Sequence, residues 1–384
     1  MIPLVCPETD ALKAFIPKKI LLMGHSDGQG GAQTAFKMLS SFTSAEGHKV
    51  KLIVLSNSGL IKQPFQRREL MGRIAFTGPR FMLLIKKALG LVNVVFKTWR
   101  FQPDIFVCVG LNNSSNLIAG ITGKRCFKAG QDFIANRSVS DPVWLSSRKV
   151  MDGIVVQAPS MLNHWKNLEV NTTAINWLPC FPEQPAAGVL KLPKDPADKK
   201  IKLGYFGRLA GNKGLDLLLA ALADPNTPGN VVLDLWGEGL EEAALKQLTI
   251  TLGLQSVVRF LGRYPSGKDG AMLIASYDAI VLCSTGMEGL PLILLESMAY
   301  GVPILATDVG AITDCCTGNP DAVLVSPTKE SIAKGINQLV LKIETSYFNS
   351  CRQKAFYDST FSYMVMAARW REFYNNPKGF FHAE

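Results

Sequence analysis

Residues 284–303 read STGMEGLPLILLESMAYGVP, and this stretch decides the fold. An apolar run, AIVLC at 279–283, precedes it, and a second apolar run, VPILAT at 302–307, overlaps its end. The pattern is typical of a buried strand, a loop, a helix and another buried strand. Pro291 fits the first turn of the helix, where a missing N–H costs no hydrogen bond, and Gly301 fits its end.

Two glutamates stand eight positions apart in this stretch, Glu288 at the expected helix start and Glu296 inside the helix. Free N–H groups and the dipole at a helix N-terminus favour an anion, while a carboxylate accepts hydrogen bonds from neutral hydroxyls. Helical geometry places Glu296 roughly 12 Å further along the axis. The layout suits a ligand with hydroxyls at both ends and phosphate between them, such as a nucleotide-sugar. An ordinary buried helix with two solvated or capping glutamates is the alternative.

The same stretch resembles the E-x7-E signature of the retaining glycosyltransferases of family 4, which have the GT-B fold. The resemblance is carried by EGLPL at 288–292, LESMA at 295–299, GVP at 301–303 and ATDVGA at 306–311. Family members more often carry an aromatic residue and a second glycine where this chain has Leu290 and Pro291. The resemblance extends from about Lys18 to about Tyr374 and is strongest over 201–310.

The chain of 384 residues is too long for one ordinary core, so we expect two domains of roughly 180 residues each. The expected class is α/β, with two Rossmann-like, doubly wound parallel-sheet domains that the resemblance places facing each other across a cleft. We predict an N-terminal acceptor-side domain at 1–182, a proline-rich linker at 183–200, a C-terminal nucleotide-sugar-binding domain at 201–360, and a C-terminal helix at 361–384 that crosses back to the first domain.

The loop GRLAGNKG at 207–214 follows a strand-like run at 201–206 and contains Arg208 and Lys213. An arginine fork and a lysine charge on one glycine-flexed loop both reach a diphosphate, whereas a single such cation is often only a solvated surface residue. The string resembles the family's Gly-Arg-Leu…Lys-Gly motif, whose Arg and Lys neutralise the leaving diphosphate. The resemblance therefore implies Arg208, Lys213 and Glu288 as catalytic residues.

Further donor-binding residues are implied by the same resemblance. The loop HSDGQGGAQ at 25–33 is similar to the Gly-Gly-Ala loop that faces the donor phosphates and the acceptor in family 4; a helix cap with glycines for the turn is the alternative. In the family, backbone near the Phe-x-Gly strand end at 260–262 holds the base. The candidate donor-binding residues are Gly30, Gly31, Arg208, Lys213, Phe260, Leu261, Glu288, Gly289, Leu290, Pro291, Leu292 and Glu296. Glu288 is expected to hold sugar hydroxyls and Glu296 the ribose.

Polar side chains at the carboxyl ends of the N-terminal strands are candidates for the acceptor side, because loops there form the ligand crevice of a parallel sheet. These residues are His25, Asp27, Asn112, Asn113, Gln131 and Asp132. Each of them taken alone has a capping or turn function as its alternative. No histidine aligns with the position that many family members use, so no catalytic base is assigned.

No Asp-x-Asp occurs and the four histidines are scattered, so we expect transfer without a metal or another cofactor. Arg208, Lys213 and helix N-termini would stabilise the diphosphate instead. The eight cysteines form no C-x-x-C pair and are typical of buried, reduced thiols in a cytoplasmic protein. We expect no signal peptide, because residues 1–8 lack a basic region before their apolar residues. We expect no transmembrane helix, because the longest uncharged run, 105–123, has a polar centre.

Charge is distributed unevenly: residues 1–190 hold 22 Lys/Arg and 11 Asp/Glu, whereas residues 191–384 hold 19 and 20. Between 64 and 100, eight basic residues stand against one acid, with aromatic residues interleaved. A basic, aromatic-rich helix suits the surface of an anionic bilayer, at about 1 kcal/mol per basic residue. A core-packing helix with a solvated basic face is the alternative. Nucleic acid is a disfavoured partner, because no recognition-motif spacing occurs.

The sequence therefore predicts a retaining glycosyltransferase that moves a hexose or N-acetylhexosamine from a nucleoside-diphosphate sugar, with UDP preferred narrowly over GDP. The expected acceptor is a lipid-linked or lipopolysaccharide glycan at the inner face of the cytoplasmic membrane, where the protein would be peripheral. A GDP-mannose-type transferase, a soluble acceptor and a non-catalytic nucleotide-sugar-binding scaffold are alternatives. A nicotinamide dehydrogenase is disfavoured, because G-x-G-x-x-G and a suitably placed acidic residue on the second strand are missing.

Overall fold

The chain divides into two units in the computed structural model. Unit 1 comprises Met1–Phe181 together with Tyr363–Glu384, and unit 2 comprises Pro182–Ser362. The residues that the structure describes are 16–25, 31–56, 70–75, 92–133, 138–167, 174–181, 184–195, 197–286 and 288–381.

Unit 1 is built on a seven-stranded parallel sheet. Its strands are β1 (Lys19–His25), β2 (Lys49–Ser56), β3 (Leu70–Ala75), β4 (Ile105–Val109), β5 (Phe127–Asp132), β6 (Gly153–Val156) and β7 (Ile175–Trp177). Their spatial order is β3-β2-β1-β4-β5-β6-β7, so the order reverses between β1 and β4. Strand β4 is buried along its whole length, as expected for a parallel strand that is covered on both faces.

Helices cover this sheet. They are α1 (Gly31–Ala45), α2 (92–101), α3 (Asn113–Ile121), α4 (Pro142–Val150) and α5 (Pro159–Asn167). The start of α4 is fixed locally, because the Asp141 side chain accepts a hydrogen bond from the Trp144 amide at 2.9 Å and Pro142 occupies the first turn. Trp144 then stacks on Trp165 of α5 with ring centroids 3.9 Å apart, and both rings are buried.

Unit 2 repeats the pattern with six parallel strands. These are β8 (Ile201–Phe206), β9 (Val231–Trp236), β10 (Val258–Gly262), β11 (Ala279–Leu282), β12 (Ile304–Thr307) and β13 (Ala322–Val325), in the order β10-β9-β8-β11-β12-β13. Its helices are α6 (Leu215–Leu222), α7 (Glu242–Thr251), α8 (Gly267–Ala275), α9 (Leu292–Ala299), α10 (Ile312–Cys316), α11 (Lys329–Glu344) and α12 (Ser350–Thr360). The predicted α/β class with two doubly wound parallel sheets is confirmed.

The C-terminal segment belongs to unit 1. It contains α13 (Tyr363–Asn375) and α14 (Pro377–Phe380). Arg371 donates two hydrogen bonds to Glu46, at 2.6 and 2.8 Å, and the Trp370 indole donates to the Pro179 carbonyl at 2.9 Å. The buried Tyr374 hydroxyl lies 2.8 Å from the Thr43 hydroxyl. The segment is therefore held by an ion pair, by polar contacts and by buried aromatic surface.

The predicted linker at 183–200 is not a free connection. The Lys191 amide donates to the Tyr300 carbonyl at 2.8 Å, and the Ala186 amide donates to the Tyr300 hydroxyl at 3.3 Å. The Lys191 and Lys194 ammonium groups lie 3.5 and 2.9 Å from the buried Asp278 carboxylate. Hydrogen bonds and ion pairs therefore fix this segment to the rest of unit 2, which its proline-rich composition did not indicate.

The basic region contains a strand as well as a helix. Residues 70–75 form β3, which pairs in parallel with β2 at the edge of the sheet, and the helix α2 occupies only 92–101. Arg67, Arg68, Arg80, Lys86 and Lys87 lie outside the described residues. An edge strand tolerates basic residues on its outer side, so composition alone did not separate the strand from a helix.

Cysteine placement agrees largely with the expectation of buried thiols. Among the cysteines of the described ranges, six are buried and Cys351 is exposed. Burial raises the pKa of the Cys108, Cys180 and Cys283 thiols to about 12, so these groups stay protonated near neutral pH. Within the same ranges, no three His, Cys, Asp or Glu side chains come together as a metal site.

Candidate active site in unit 2

The predicted catalytic residues lie where the strand order of unit 2 reverses. Strands β8 and β11 are neighbours in the sheet although β9 and β10 separate them in sequence. The loop after β8 carries Arg208 and Lys213, and the loop after β11 carries Glu288. A crevice at the carboxyl ends of two such strands is the usual ligand site of a doubly wound sheet.

Backbone contacts fix these two loops together. The Asn212 carbonyl accepts hydrogen bonds from the Thr285 amide at 3.0 Å and from the Gly286 amide at 3.1 Å. Gly214 has φ +60°, and a Cβ atom there would lie 2.0 Å from the Cys283 carbonyl oxygen. Glycine at 214 is therefore required both by backbone conformation and by the closeness of the second loop.

Lys213 and Glu288 form an ion pair across the two loops. The Lys213 ammonium donates to Glu288 Oε1, and the Ser284 hydroxyl donates to the same oxygen at 2.6 Å. The two charged side chains are 14% and 13% exposed, so they are mostly shielded from water. The structure thus joins two residues that the sequence had placed 75 positions apart, one as a diphosphate ligand and one as a sugar ligand.

Arg208 differs from Lys213 because its side chain is exposed and forms no ion pair with any carboxylate of the described residues. Its backbone is fixed nonetheless, since the Tyr205 hydroxyl donates to the Arg208 carbonyl at 2.7 Å. Burial of the Tyr205 ring, followed by the negative charge of Glu288, raises the pKa of that hydroxyl well above its usual range. The tyrosine therefore remains a neutral donor, and the guanidinium of Arg208 is available to an anionic ligand.

The glutamate spacing differs from the prediction in geometry. Helix α9 begins at Leu292, and Pro291 is its N-cap. The proline therefore stands just before the first turn of the helix, not within it as expected. Glu288 therefore lies in the loop before the helix, and only Leu292 to Glu296 is helical. The helical rise from Leu292 to Glu296 is about 6 Å, and the expected 12 Å, which assumed one continuous helix between the two glutamates, does not apply. Glu296 is half-buried within α9.

The helix start nevertheless supplies free donors. The Leu294 amide donates to the Pro291 carbonyl at 3.0 Å, while the amides of Leu292 and Ile293 donate to no backbone acceptor in the described part of the chain. Gly289 is half-buried and Leu290 is buried in the loop before them. Unpaired amides at a helix N-terminus are suited to phosphate or hydroxyl oxygens.

Phe260 and Leu261 lie at the carboxyl end of the edge strand β10. The pairing register with β9 shifts between Phe260 and Gly262, so Leu261 occupies a bulge and is 37% exposed. The half-buried Phe260 ring carries the Lys246 ammonium 5.6 Å from its centroid. The bulge presents backbone groups at the same edge of the sheet as the Arg208 loop.

An aromatic group at this edge did not figure in the sequence analysis. The Phe206 ring at the end of β8 contacts Trp236, Tyr264 and Tyr277, with centroids 6.3, 5.2 and 5.5 Å apart. The sequence signal that could have indicated this group is an aromatic residue at the end of each strand, Phe206 in β8 and Trp236 in β9. Tyr264 is 39% exposed, which leaves part of its ring open to a flat ligand.

The acceptor-side candidates of unit 1 have mostly structural surroundings. Asn112 caps α3: its side chain accepts from the Ser115 amide at 2.9 Å and donates to the Gly110 carbonyl at 2.9 Å. The buried Gln131 donates to the Leu178 carbonyl at 3.1 Å. These contacts match the capping and turn alternative, and Asn113 is the first residue of the capped helix.

His25 and Asp132 keep positions at the carboxyl edge of the unit 1 sheet. His25 ends β1, which lies beside β4 where the strand order reverses, and Asp132 is fully buried at the end of β5. Gly31 is the first residue of α1. Gly30 and Asp27 lie outside the described residues.

Two doubly wound parallel-sheet units, the second with its cationic loop at the strand-order reversal, define the GT-B class of fold. Residues 191–353 match the family described as glycosyl transferases group 1. Relatives include the lipopolysaccharide core biosynthesis mannosyltransferase LpsB of Rhizobium meliloti, 32% identical over 133 residues, which are 33% of this chain and 36% of LpsB. The D-rhamnosyltransferase WbpZ of Pseudomonas aeruginosa is 30% identical over 129 residues, which are 34% of this chain and 32% of WbpZ.

The chain thus spans about a third of the length of these curated relatives. Solved structures are similar over most of the chain. The lipopolysaccharide outer core galactosyltransferase WaaB has a TM-score of 0.72 at 17% identity, covering 93% of this chain and 99% of WaaB. HepE of Anabaena, in complex with UDP and glucose, has a TM-score of 0.72 at 18% identity, covering 94% of this chain and 100% of HepE. A glycosyltransferase enzyme is the class of protein that these matches support.

Proposed function

We propose that this protein is a retaining glycosyltransferase of family 4 that transfers a hexose or N-acetylhexosamine from a nucleoside-diphosphate sugar, with UDP as the preferred nucleotide. The observation that carries the proposal is the Lys213–Glu288 ion pair beside the exposed Arg208 at the strand-order reversal of unit 2. Support for the nucleotide comes from HepE, whose structures contain UDP, UDP with glucose, or UDP-glucose.

The two cations have different parts in donor binding. Arg208 meets the diphosphate as an open fork of N–H donors, which matches paired phosphate oxygens. Lys213 exchanges the Glu288 carboxylate for the diphosphate as its negative partner. That exchange leaves Glu288 with a free acceptor for a sugar hydroxyl. Glu296 binds the ribose, and the bulged backbone at Leu261 binds the base.

Transfer is driven by charge that develops on the leaving diphosphate. Arg208 and the free amides of Leu292 and Ile293 are positioned before the donor binds, and Lys213 joins them once it has exchanged its partner, so all of these groups are in place to stabilise the charge as it develops. In a retaining reaction the acceptor hydroxyl attacks on the face that the diphosphate leaves. The leaving phosphate then takes the proton of that hydroxyl, which agrees with the absence of an assigned base. No metal is assigned a part in this scheme.

Thermal unfolding with nucleotides tests the donor proposal first. A ligand at about 100 times its Kd stabilises by about 2.7 kcal/mol, which raises the Tm of a unit of this size by roughly 5–10 °C. We expect this rise with about 1 mM UDP, a smaller rise with GDP, and none with ADP or NAD. Arg208→Ala tests the cationic loop in the same assay. Its matched control is Lys334→Ala, which removes an exposed cation of α11. A rise with NAD alone would refute the proposal.

A transfer assay separates an enzyme from a non-catalytic nucleotide-sugar-binding scaffold. The donors to compare are UDP-glucose, UDP-galactose, UDP-N-acetylglucosamine and GDP-mannose, with a lipid-linked glycan and a soluble oligosaccharide as acceptors. A product whose anomeric bond has the same configuration, axial or equatorial, as that of the donor supports retention. A GDP-mannose product points to the alternative donor. Donor binding without any product points to the scaffold.

The lipid-linked acceptor is proposed from the exposed face of α2. Val92, Phe96 and Trp99 follow each other at helical spacing and are 67, 58 and 70% exposed, while Val94 and Thr98 on the opposite face are buried. The Phe96 and Trp99 rings lie 6.4 Å apart. A packed aromatic pair on a solvent-facing stripe is suited to the headgroup region of a bilayer.

Charge favours an anionic bilayer as the partner of this face. Lys97 and Arg100 are exposed on the same helix, and residues 1–190 carry twice as many basic as acidic residues. Two basic residues near the surface contribute about 2 kcal/mol to binding an anionic membrane. LpsB and the related core glycosyltransferase LpsE of Rhizobium meliloti are named for lipopolysaccharide core biosynthesis. A helix long and apolar enough to span a membrane is not found among the described residues.

Vesicle flotation tests the membrane proposal. We expect binding to vesicles that contain phosphatidylglycerol, weakened by salt, and little binding to vesicles of phosphatidylcholine alone. Phe96→Ser with Trp99→Ser is expected to abolish flotation. Leu117→Ser, at a half-exposed leucine of α3, is the matched control and leaves flotation unchanged. Binding that ignores both anionic lipid and salt points to a soluble acceptor or to another partner for this face.

A further inference from the structure

Ser284 stands beside the proposed sugar-binding carboxylate and has no function in the scheme above. It follows the end of β11 and is fully buried. Its hydroxyl donates to Glu288 Oε1 at 2.6 Å, and its carbonyl accepts from the Thr307 hydroxyl at 2.6 Å. Thr307 is itself fully buried as the last residue of β12. The serine is thus tied to the sheet on one side and to the carboxylate on the other.

Hydrogen bonds hold the backbone around Glu288, since the Gly286 amide donates to the Asn212 carbonyl at 3.1 Å and the Glu288 carbonyl accepts from the Ala311 amide at 3.1 Å. The carboxylate at the end of the side chain needs an attachment of its own. Oε1 receives two donors, the ammonium of Lys213 and the hydroxyl of Ser284. A diphosphate attracts Lys213 away from this oxygen. Ser284 then remains as the group that holds the carboxylate in its position.

We propose that Ser284 is the positioning residue of Glu288, and that its hydroxyl is required for recognition of the sugar but not of the nucleotide. The inference rests on the proposed function of Glu288 as a sugar ligand. A hydrogen bond to a charged group is lost when the hydroxyl is removed, so the cost corresponds to about a tenfold change in binding. A serine that only stabilises the loop would weaken nucleotide and nucleotide-sugar equally.

The test compares the affinity of Ser284→Ala for UDP with its affinity for the nucleotide-sugar that stabilises the wild type most. We expect the Kd of UDP to stay within about twofold, and the Kd of the nucleotide-sugar to rise about tenfold. Ser297→Ala is the matched control, because Ser297 is also fully buried and donates at 3.0 Å to a backbone carbonyl, that of Val302. We expect Ser297→Ala to lower Tm without changing the ratio of the two Kd values.

A double-mutant cycle separates positioning from loop stability. In a Glu288→Ala background, Ser284→Ala is expected to have no further effect on nucleotide-sugar affinity, because the two residues act as one unit. Ser284→Cys keeps the shape with a weaker donor and serves if the alanine variant does not fold. Equal weakening of both ligands, or full additivity in the cycle, overturns the inference alone. A wild type that binds no nucleoside diphosphate overturns the proposed function and the inference with it.

Discussion

Replacing Gly214 by alanine should separate the two loops that form the candidate site. An alanine at φ +60° costs about 1 kcal/mol, because its Cβ atom meets its own backbone. The added Cβ would also lie 2.0 Å from the Cys283 carbonyl oxygen, so one loop must move. That movement breaks the hydrogen bonds from Thr285 and Gly286 to the Asn212 carbonyl, at about 1 kcal/mol each. The expected loss of stability is about 3 kcal/mol.

Two other glycines of unit 2 provide the controls for this variant. Gly253 has φ +70° with no atom within 4 Å of an added Cβ, so Gly253→Ala isolates the conformational cost of about 1 kcal/mol. Gly211 has open space and no positive φ, so Gly211→Ala changes stability by less than about 0.5 kcal/mol. Gly211 also lies on the Arg208 loop, three residues before the site of the test substitution.

The assay is calorimetric unfolding of the three variants with and without UDP. A loss of about 3 kcal/mol lowers the Tm of a unit of this size by roughly 6–12 °C, against roughly 2–4 °C for Gly253→Ala. Stabilisation by UDP should disappear in Gly214→Ala and persist in both controls. If Gly214→Ala has the same Tm as Gly211→Ala and is still stabilised by UDP, the close approach of the two loops at Gly214 does not hold the site together, and the reasoning is wrong.

Three further substitutions test separate parts of the molecule. Arg208→Ala should lower kcat about 100-fold or more, while Tm stays unchanged and the Kd of UDP changes by a smaller factor. The reason is that this exposed cation acts mainly on the charge that develops in the transition state. Equal factors for kcat and for the Kd of UDP would contradict this. Asn112→Ala should cost about 1 kcal/mol in thermal unfolding and leave the acceptor KM unchanged, as expected for a helix cap; a raised KM would reinstate Asn112 as an acceptor ligand. Burial lowers the pKa of His48 below its usual 6.5, and the neutral ring accepts a hydrogen bond from the Lys18 amide at 3.2 Å. The free energy of unfolding should therefore fall as pH drops below about 6.5, and His48→Asn should flatten that dependence in urea titrations at pH 5 to 8. An unchanged pH dependence in the variant removes His48 as the cause.

The sequence was most informative where strands are buried on both faces. The runs at 201–206, 279–283 and 302–307 are mostly apolar, which is typical of parallel strands that helices cover on both faces; Lys202 is the exposed exception in β8. The helix α6 gives a second example of structure that short-range sequence determines. Its start is set locally by Gly214, and local determinants of this kind are readable without knowledge of the fold.

Edge positions and short elements were less readable. Strand β3 was missed within the basic region, because an edge strand has one open side and its composition resembles that of a surface helix. Strand β7 has three residues, too few for any periodic pattern. The expected helical glutamate pair failed for a related reason. Proline is typical of the first helical position, so the sequence predicted Pro291 in the first turn, whereas α9 begins one residue later with Pro291 as its N-cap.

The link between Lys213 and Glu288 required the topology. Each residue belonged to a recognisable motif, yet nothing in either motif indicates that one ammonium and one carboxylate share a hydrogen bond. Only the strand order, which places β8 beside β11, brings the two loops together. The polar candidates of unit 1 illustrate the opposite case. Their position at strand ends was read correctly, but Asn112 and Gln131 satisfy the backbone there, and no sequence pattern distinguishes such a contact from a ligand contact.

The ion pair also bears on how binding energy is used in the proposed reaction. A lysine already paired with a carboxylate gains little when a ground-state diphosphate replaces that carboxylate, because one negative partner is exchanged for another. Glu288 is displaced in that exchange and, held by Ser284, accepts from the sugar hydroxyl of the bound donor. The leaving diphosphate gains further charge as the sugar bond breaks, so the attraction of Lys213 for it is larger in the transition state than in the bound donor. The pairing therefore limits tight ground-state binding by Lys213 and reserves its stabilisation for the transition state.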